Sequence, residues 1–275
     1  MKRAHPAVWM GPFTICGGLA NGSRMKCGIA LLSALLLVGV FVAWPAVGWP
    51  EPAFEHHEAS LTTDTTHSSH GTQDRHGWEG SPEGKDFSEF NHHFAGLCDV
   101  VFGLAELGYA LQYPLPLWTR LVLPGTLAVI GAYMLVWSDH DAWPIGSLGF
   151  YETFFGPDRE IVEHKFYGVL AAVIALCEAL RRLGWVRHPA WAAPLILFVL
   201  VGSLLLFFHS HGNHPGSERI EFHHALLGSV GVGAALSKGL ASWLPRASPH
   251  MVRRWEVAWA GSVILFGLLL LIYSE

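Results

Sequence analysis

The sequence predicts an all-α membrane protein: a polytopic helix bundle of about seven spans, three repeated helical hairpins behind one N-terminal span. Three observations predict it. Of 275 residues, 51% are hydrophobic and only 14% are Asp, Glu, Lys or Arg. A soluble domain carries roughly 25% charged residues, so this chain cannot cover a water-facing surface with charge. The mean hydropathy is +0.34, and the apolar residues gather in runs of the length a helix needs to cross a bilayer, about 20 residues. Finally, one helix face recurs three times at a single spacing. The same composition excludes a disordered chain. A formal net charge of -5 leaves no basic footprint for nucleic acid.

The apolar runs fall at 28–48, 91–113, 118–137, 161–183, 190–208, 220–243 and 255–273. They divide the chain into an N-terminal cytoplasmic segment with the first span (1–49), a histidine-rich external arm (50–90) and a six-helix membrane domain (91–275). The first run reads as a membrane anchor. The alternative is a signal peptide beginning at Met25, but no small-x-small cleavage site follows it. Pro114 and Pro116 fit a short turn between the second and third runs. Residues 50–88 hold His56, His57, His67, His70 and His76 among Ser, Thr, Gly and acids without apolar periodicity. They read as a flexible arm, either a solvated linker or a weak metal collector. Four cysteines without a CxxC predict no disulfide framework.

Orientation follows from the basic residues. If the spans alternate, twelve of the seventeen Lys and Arg fall on one side, with the N-terminus. The N-terminus is then cytoplasmic and the C-terminus periplasmic, in a bacterial inner membrane. Fourteen of the seventeen histidines then lie outside, only His5, His188 and His250 being cytoplasmic. The charge argument uses no histidine, so the two sortings are independent.

The repeated face is His92, Gly96, Asp99, Gly103, Glu106; then His164, Gly168, Ala171, Ala175, Glu178; then His224, Gly228, Gly231, Ala235, Lys238. The offsets are +4, +7, +11 and +14 in each, one side of a helix. Each face has a histidine at its outer end, small residues in the middle and a charge about 21 Å below. Small residues let membrane helices approach closely, so these three helices are expected to pack together, each followed by an outer partner helix.

This register brings His92, His164 and His224 to one membrane face. His93, His140, His209, His211, His214 and His223 lie at the same level, with Asp139, Asp141, Glu152, Glu160, Glu163 and Glu221. A single histidine at a helix end is usually an interfacial hydrogen-bonding residue. Nine in one layer with carboxylates form a ligand set for a transition metal. The candidate ligands are His92, His93, His164, His209, His211, His214, His223 and His224. No methionine or cysteine joins them, which argues against a soft thiolate or thioether trap. Copper is favoured over zinc because it outcompetes at nitrogen sites; iron and haem b are alternatives. Asp99, Glu106, Glu178 and Lys238 are the intramembrane polar residues. They form either an ion-paired clamp of Lys238 with Glu106 or Glu178, or the inner end of an ion path, unless Lys238 snorkels to the inner surface.

The layout of residues 91–273, several spans with histidines at the periplasmic side, resembles bacterial inner-membrane copper-resistance proteins of the CopD type. The resemblance implies a bilayer protein handling copper (or zinc) in transport or tolerance, with a periplasmic metal carrier as partner. No ATPase motif is present, so transport would need a gradient or a partner. Three other readings stand. An accessory or assembly subunit would bind metal through its histidines only for delivery. A membrane metalloenzyme (a copper or di-iron oxidase or oxygenase) is raised by Glu89/His92 and Glu221/His224. A b-type haem electron carrier is raised by facing histidines.

Overall fold

The structure, a computed structural model, describes residues 81–208 and 217–274. All regular structure among them is helical. The first span, the histidine-rich arm and His209, His211 and His214 lie outside the described residues.

The first helix, α1 (Pro82–Ala110), starts within the stretch assigned to the external arm. Ser81 caps it, its hydroxyl accepting from the Gly84 amide at 3.1 Å, and Pro82 sits at the first helical position, where its missing N–H costs nothing. A 3-10 turn, Leu117–Leu121, follows the proline-bearing link and leads into α2 (Val122–Val136). A long connection holds the short α3 (Phe150–Phe155) and ends at Asp158, which caps α4 (Arg159–Arg182) by accepting from the Ile161 amide. Gly184, at φ +78°, closes α4: its amide reaches the Arg181 carbonyl and the Trp185 amide the Leu180 carbonyl. That is a Schellman motif, which needs a left-handed residue where Gly184 stands. A second 3-10 turn, Pro189–Ala192, enters α5 (Ala193–Leu205); then come α6 (Ser217–Trp243) and α7 (Pro249–Leu271).

Each long helix packs on the next, α1 on α2, α2 on α4, α4 on α5, α5 on α6 and α6 on α7, and α7 returns to α1. The result is a ring of six helices around Phe102, Leu123, Leu127, Leu195, Trp259 and Val263. The repeated helices α1, α4 and α6 alternate with the more apolar α2, α5 and α7. This corrects the expectation that the three repeated helices pack together. They do not pack side by side; their small residues are spent on the intervening helices. A Cβ on Gly96 would stand 2.7 Å from the Gly267 carbonyl oxygen of α7, and one on Gly168 3.0 Å from the Gly131 carbonyl oxygen of α2. One on Gly228 would stand 2.8 Å from the Ser203 carbonyl oxygen of α5. Each +4 glycine therefore sets the closest approach to the helix preceding it around the ring, so the threefold register survives in a different packing.

Among the described residues, three helical segments, Leu117–Val136, Glu218–Trp243 and Pro249–Leu271, are long and apolar enough to cross a membrane, and Pro189–Leu205 is a shorter apolar one. They correspond to four of the expected runs. The helices α1 and α4 carry more charge, of which Glu106, Lys165 and Glu178 are buried. Their exposed faces are apolar at matching places: Leu97, Val101 and Leu104 on α1, Val169, Val173 and Leu176 on α4. Both sets lie +5, +9 and +12 from the helix's histidine, the side turned away from the ring interior.

Candidate functional site

The ring encloses a cavity of about 500 Å³. Its body is apolar and aromatic, lined by Phe102, Leu127, Phe198 and Trp259 among others, and its mouth lies at the histidine end. His92, His164 and His224, from three alternate helices, all line it. So do His140 from the α2–α3 connection and Asp99, midway down the α1 face. Among the described residues lining the cavity, six are carboxylates: Asp99, Asp139, Asp141, Asp158, Glu160 and Glu163. None is lysine or arginine.

The imidazoles form two groups. In the first, Tyr273, buried just beyond α7, gathers four histidines. The His92 ring stacks on it at 3.9 Å between centroids, His224 lies at 6.1 Å and His223 at 5.7 Å. The Nε2–H of His93 donates to the Tyr273 carbonyl at 3.0 Å. His92 and His224 stand 6.3 Å apart. His92 donates Nδ1–H to the Ser88 carbonyl at 2.8 Å, one turn back on α1. That bond fixes the tautomer in which Nε2 carries the lone pair.

In the second group, His164 Nδ1 meets Asp139 Oδ1 at 2.8 Å, and Lys165 Nζ, fully buried, meets Asp139 Oδ2 at 3.1 Å. Lys165 also donates to the Met134 carbonyl at 3.0 Å, and the Ser138 hydroxyl donates to the same carboxylate. Burial alone would raise the Asp139 carboxyl. The His164 charge and hydrogen bond, the Lys165 charge and the Ser138 hydroxyl outweigh it and hold the group below the usual carboxylate range. Nearby, Tyr133 donates to Asn91 Oδ1 at 2.5 Å and Asn91 Nδ2 to the Ser138 carbonyl at 3.3 Å, which ties α1 to the end of α2.

The structure thus divides the expected three-histidine ring. Among the described residues, no three or more His, Cys, Asp or Glu side chains stand close enough together to hold a metal ion. The reason is local: Tyr273 occupies the space beside His92 and His224, and Asp139 holds His164. The Glu89/His92 and Glu221/His224 units form no joint site either, Glu221 being exposed at the start of α6. Cys98 and Cys177 are free thiols.

At the other end the three +14 charges do converge. Arg182 Nη1 lies 2.8 Å from Glu106 Oε1, and its Nε 3.3 Å from Glu178 Oε2. Lys238 Nζ lies 3.7 Å from Glu106 and 2.7 Å from Glu256, and the Trp259 indole donates to Glu106 at 3.4 Å. Arg181 completes the set with a two-point contact to Glu178. Three acids and three bases form an ion-paired clamp over α1, α4, α6 and α7, as one of the two expectations has it. Glu178, however, pairs with Arg181 and Arg182 rather than Lys238. Arg182 was legible in principle, since it follows Glu178 by four residues on one helix side. Lys165 and Tyr273 had no such signal: one reads as an external loop charge, the other as the end of an apolar run.

Fold and site define an all-helical protein with membrane-length apolar helices and a carboxylate- and imidazole-lined cavity. No family model, curated protein or solved structure matches the chain.

Proposed function

We propose that the six long described helices all cross a bacterial inner membrane, and that the histidine mouth faces the periplasm and binds a transition metal, copper before zinc, in transport or tolerance. The spanning assignment of α1 and α4 rests on their outward Leu97/Val101/Leu104 and Val169/Val173/Leu176 faces, which suit lipid while Glu106, Lys165 and Glu178 are buried. The orientation rests on the inner clamp, where Arg181, Arg182 and Lys238 lie at the basic end.

The observation that carries the metal reading is the way His92 and His164 are held. Each has Nδ1 against a fixed oxygen, the Ser88 carbonyl and the Asp139 carboxylate. Outer partners of this kind orient metal-ligating imidazoles; Nε2 of His92 is then the ligating atom, and His164, which carries charge against Asp139, would give up its Nε2 proton to the metal. The carboxylates at the mouth add cation attraction. A metal shared by more than two of these groups would require the side chains to turn toward the cavity axis. When bound, the metal is cargo, handed over by or to a periplasmic carrier.

Elemental analysis of the purified protein tests the reading. Bound copper or zinc, reduced by His92→Ala, His164→Ala or His224→Ala, supports it; metal content unchanged in the triple variant overturns the ligand choice. A b-type haem carrier is the second reading, favoured by the apolar space under His92 and His224 and opposed by the lack, among the described lining residues, of a lysine or arginine for haem propionates. A Soret band in the same preparation would replace the first reading with the second.

A further inference from the structure

The metal reading uses the mouth of the cavity and leaves its body unexplained. A largely apolar space of about 500 Å³ falls in the range of organic ligand sites. Its walls are rich in aromatic rings: Phe94, Phe102, Tyr133, Phe198, Trp259 and Phe266. Asp99 sits in that wall, about 10 Å below His92 along α1. Among the described residues, no hydrogen bond or ion pair engages it. An acid in an apolar wall is costly unless something complements it.

The charge of the lining selects the complement. Among the described residues, six carboxylates and no lysine or arginine line the cavity. Lys165 offsets Asp139 from behind the wall, and Arg159 pairs with Glu163 at 2.6 Å. The remaining field repels an anionic head group, whether phosphate or carboxylate, and concentrates cations at the mouth. Aromatic faces also attract a desolvated cation. A small hydrated metal ion would satisfy the mouth carboxylates but would gain nothing from the apolar body.

We propose that the cavity body is a binding site for a lipophilic organic cation, its charge seated against Asp99 and its apolar surface against the aromatic wall. The site is separate from the metal-binding mouth and does not depend on it.

The test uses two probes of the same shape and opposite charge, tetraphenylphosphonium and tetraphenylborate. Equilibrium dialysis is run on the purified full-length chain in detergent with a chelator present, so a failure of the metal reading leaves this result untouched. Variants are compared at equal detergent, which cancels partition into micelles. The expected result is saturable phosphonium binding that weakens about tenfold or more in Asp99→Asn, the loss of a desolvated charge partner. Val199→Phe, which narrows the cavity without touching any charge, should weaken it as well. Saturable borate binding of equal strength overturns the proposal, as does phosphonium binding unchanged in both variants. Loss in Val199→Phe with no change in Asp99→Asn also overturns it, because the site would then read shape and not charge. Melting temperatures of both variants within a few degrees of the parent show that the change is in the site and not in folding.

Discussion

Arg182 on α4 reaches Glu106 on α1 at 2.8 Å, although the two helices share no packed interface. The guanidinium spans the inside of the ring and ties together two of the three repeated faces at their inner end. Lys238 brings in the third, at 3.7 Å from the same Glu106. Glu106 is thus the point where all three repeats meet.

Removing that point should be costly. Glu106→Gln leaves Arg182 and Lys238 each short of a buried partner, a loss of about 3–5 kcal/mol when a buried pair is broken. Thermal unfolding in detergent should show a large fall in melting temperature. Glu163→Gln, which breaks the exposed pair with Arg159, should change stability by no more than about 1 kcal/mol. Equal effects of the two would refute the clamp.

The glycine positions predict opposite signs for one chemical change. Gly96→Ala and Gly168→Ala place a methyl against backbone of α7 and α2, at 2.7 Å from the Gly267 oxygen and 3.0 Å from the Gly131 oxygen, and should destabilise the ring. Gly233, on the exposed side of α6, has nothing within 4 Å of an added Cβ. Gly233→Ala should therefore stabilise by about 0.5–1 kcal/mol, the ordinary gain of alanine over glycine within a helix. Denaturation of the three variants side by side measures this.

Asp139 predicts a pH dependence. Its carboxyl is lower in the folded state than in the unfolded chain, because the His164 and Lys165 charges outweigh burial. A group of that sign stabilises the fold above its unfolded pKa, about 3.9, and loses that contribution as the pH falls through its folded value. The stability difference between the parent chain and Asp139→Asn should be largest near neutral pH and shrink below about pH 4. A difference that stays constant across that window would show that the carboxylate charge is not what matters.

His93 separates the site from its surroundings. Its Nε2–H is committed to the Tyr273 carbonyl, so His93→Ala should cost about 1 kcal/mol of stability and leave metal content unchanged. Loss of metal in His93→Ala, measured by elemental analysis, would move it into the ligand set.

Much of the site was legible because a helix repeats its faces at a fixed angle. From His92, His164 and His224 alone, the +4 glycines and the +14 charges follow by spacing, and they are buried in all three copies. The partner of each face was not legible. A small-residue stripe says that something approaches closely, and it says the same of a sister helix as of an apolar neighbour. Nor was the split of the histidines legible: it depends on Tyr273 just beyond α7 and Asp139 from the α2–α3 connection, both distant in sequence from the rings they hold.

The sequence by itself determined the helical class, the membrane-length apolar runs and which side of α1, α4 and α6 turns inward, since composition and a 3.6-residue period are properties of the chain alone. The ring order, the cavity and the convergence on Glu106 were decided only by tertiary structure. Those depend on which helix lies beside which, and alternating the three repeated helices with three apolar ones is what leaves a space at the centre for Asp99 and the histidines to line.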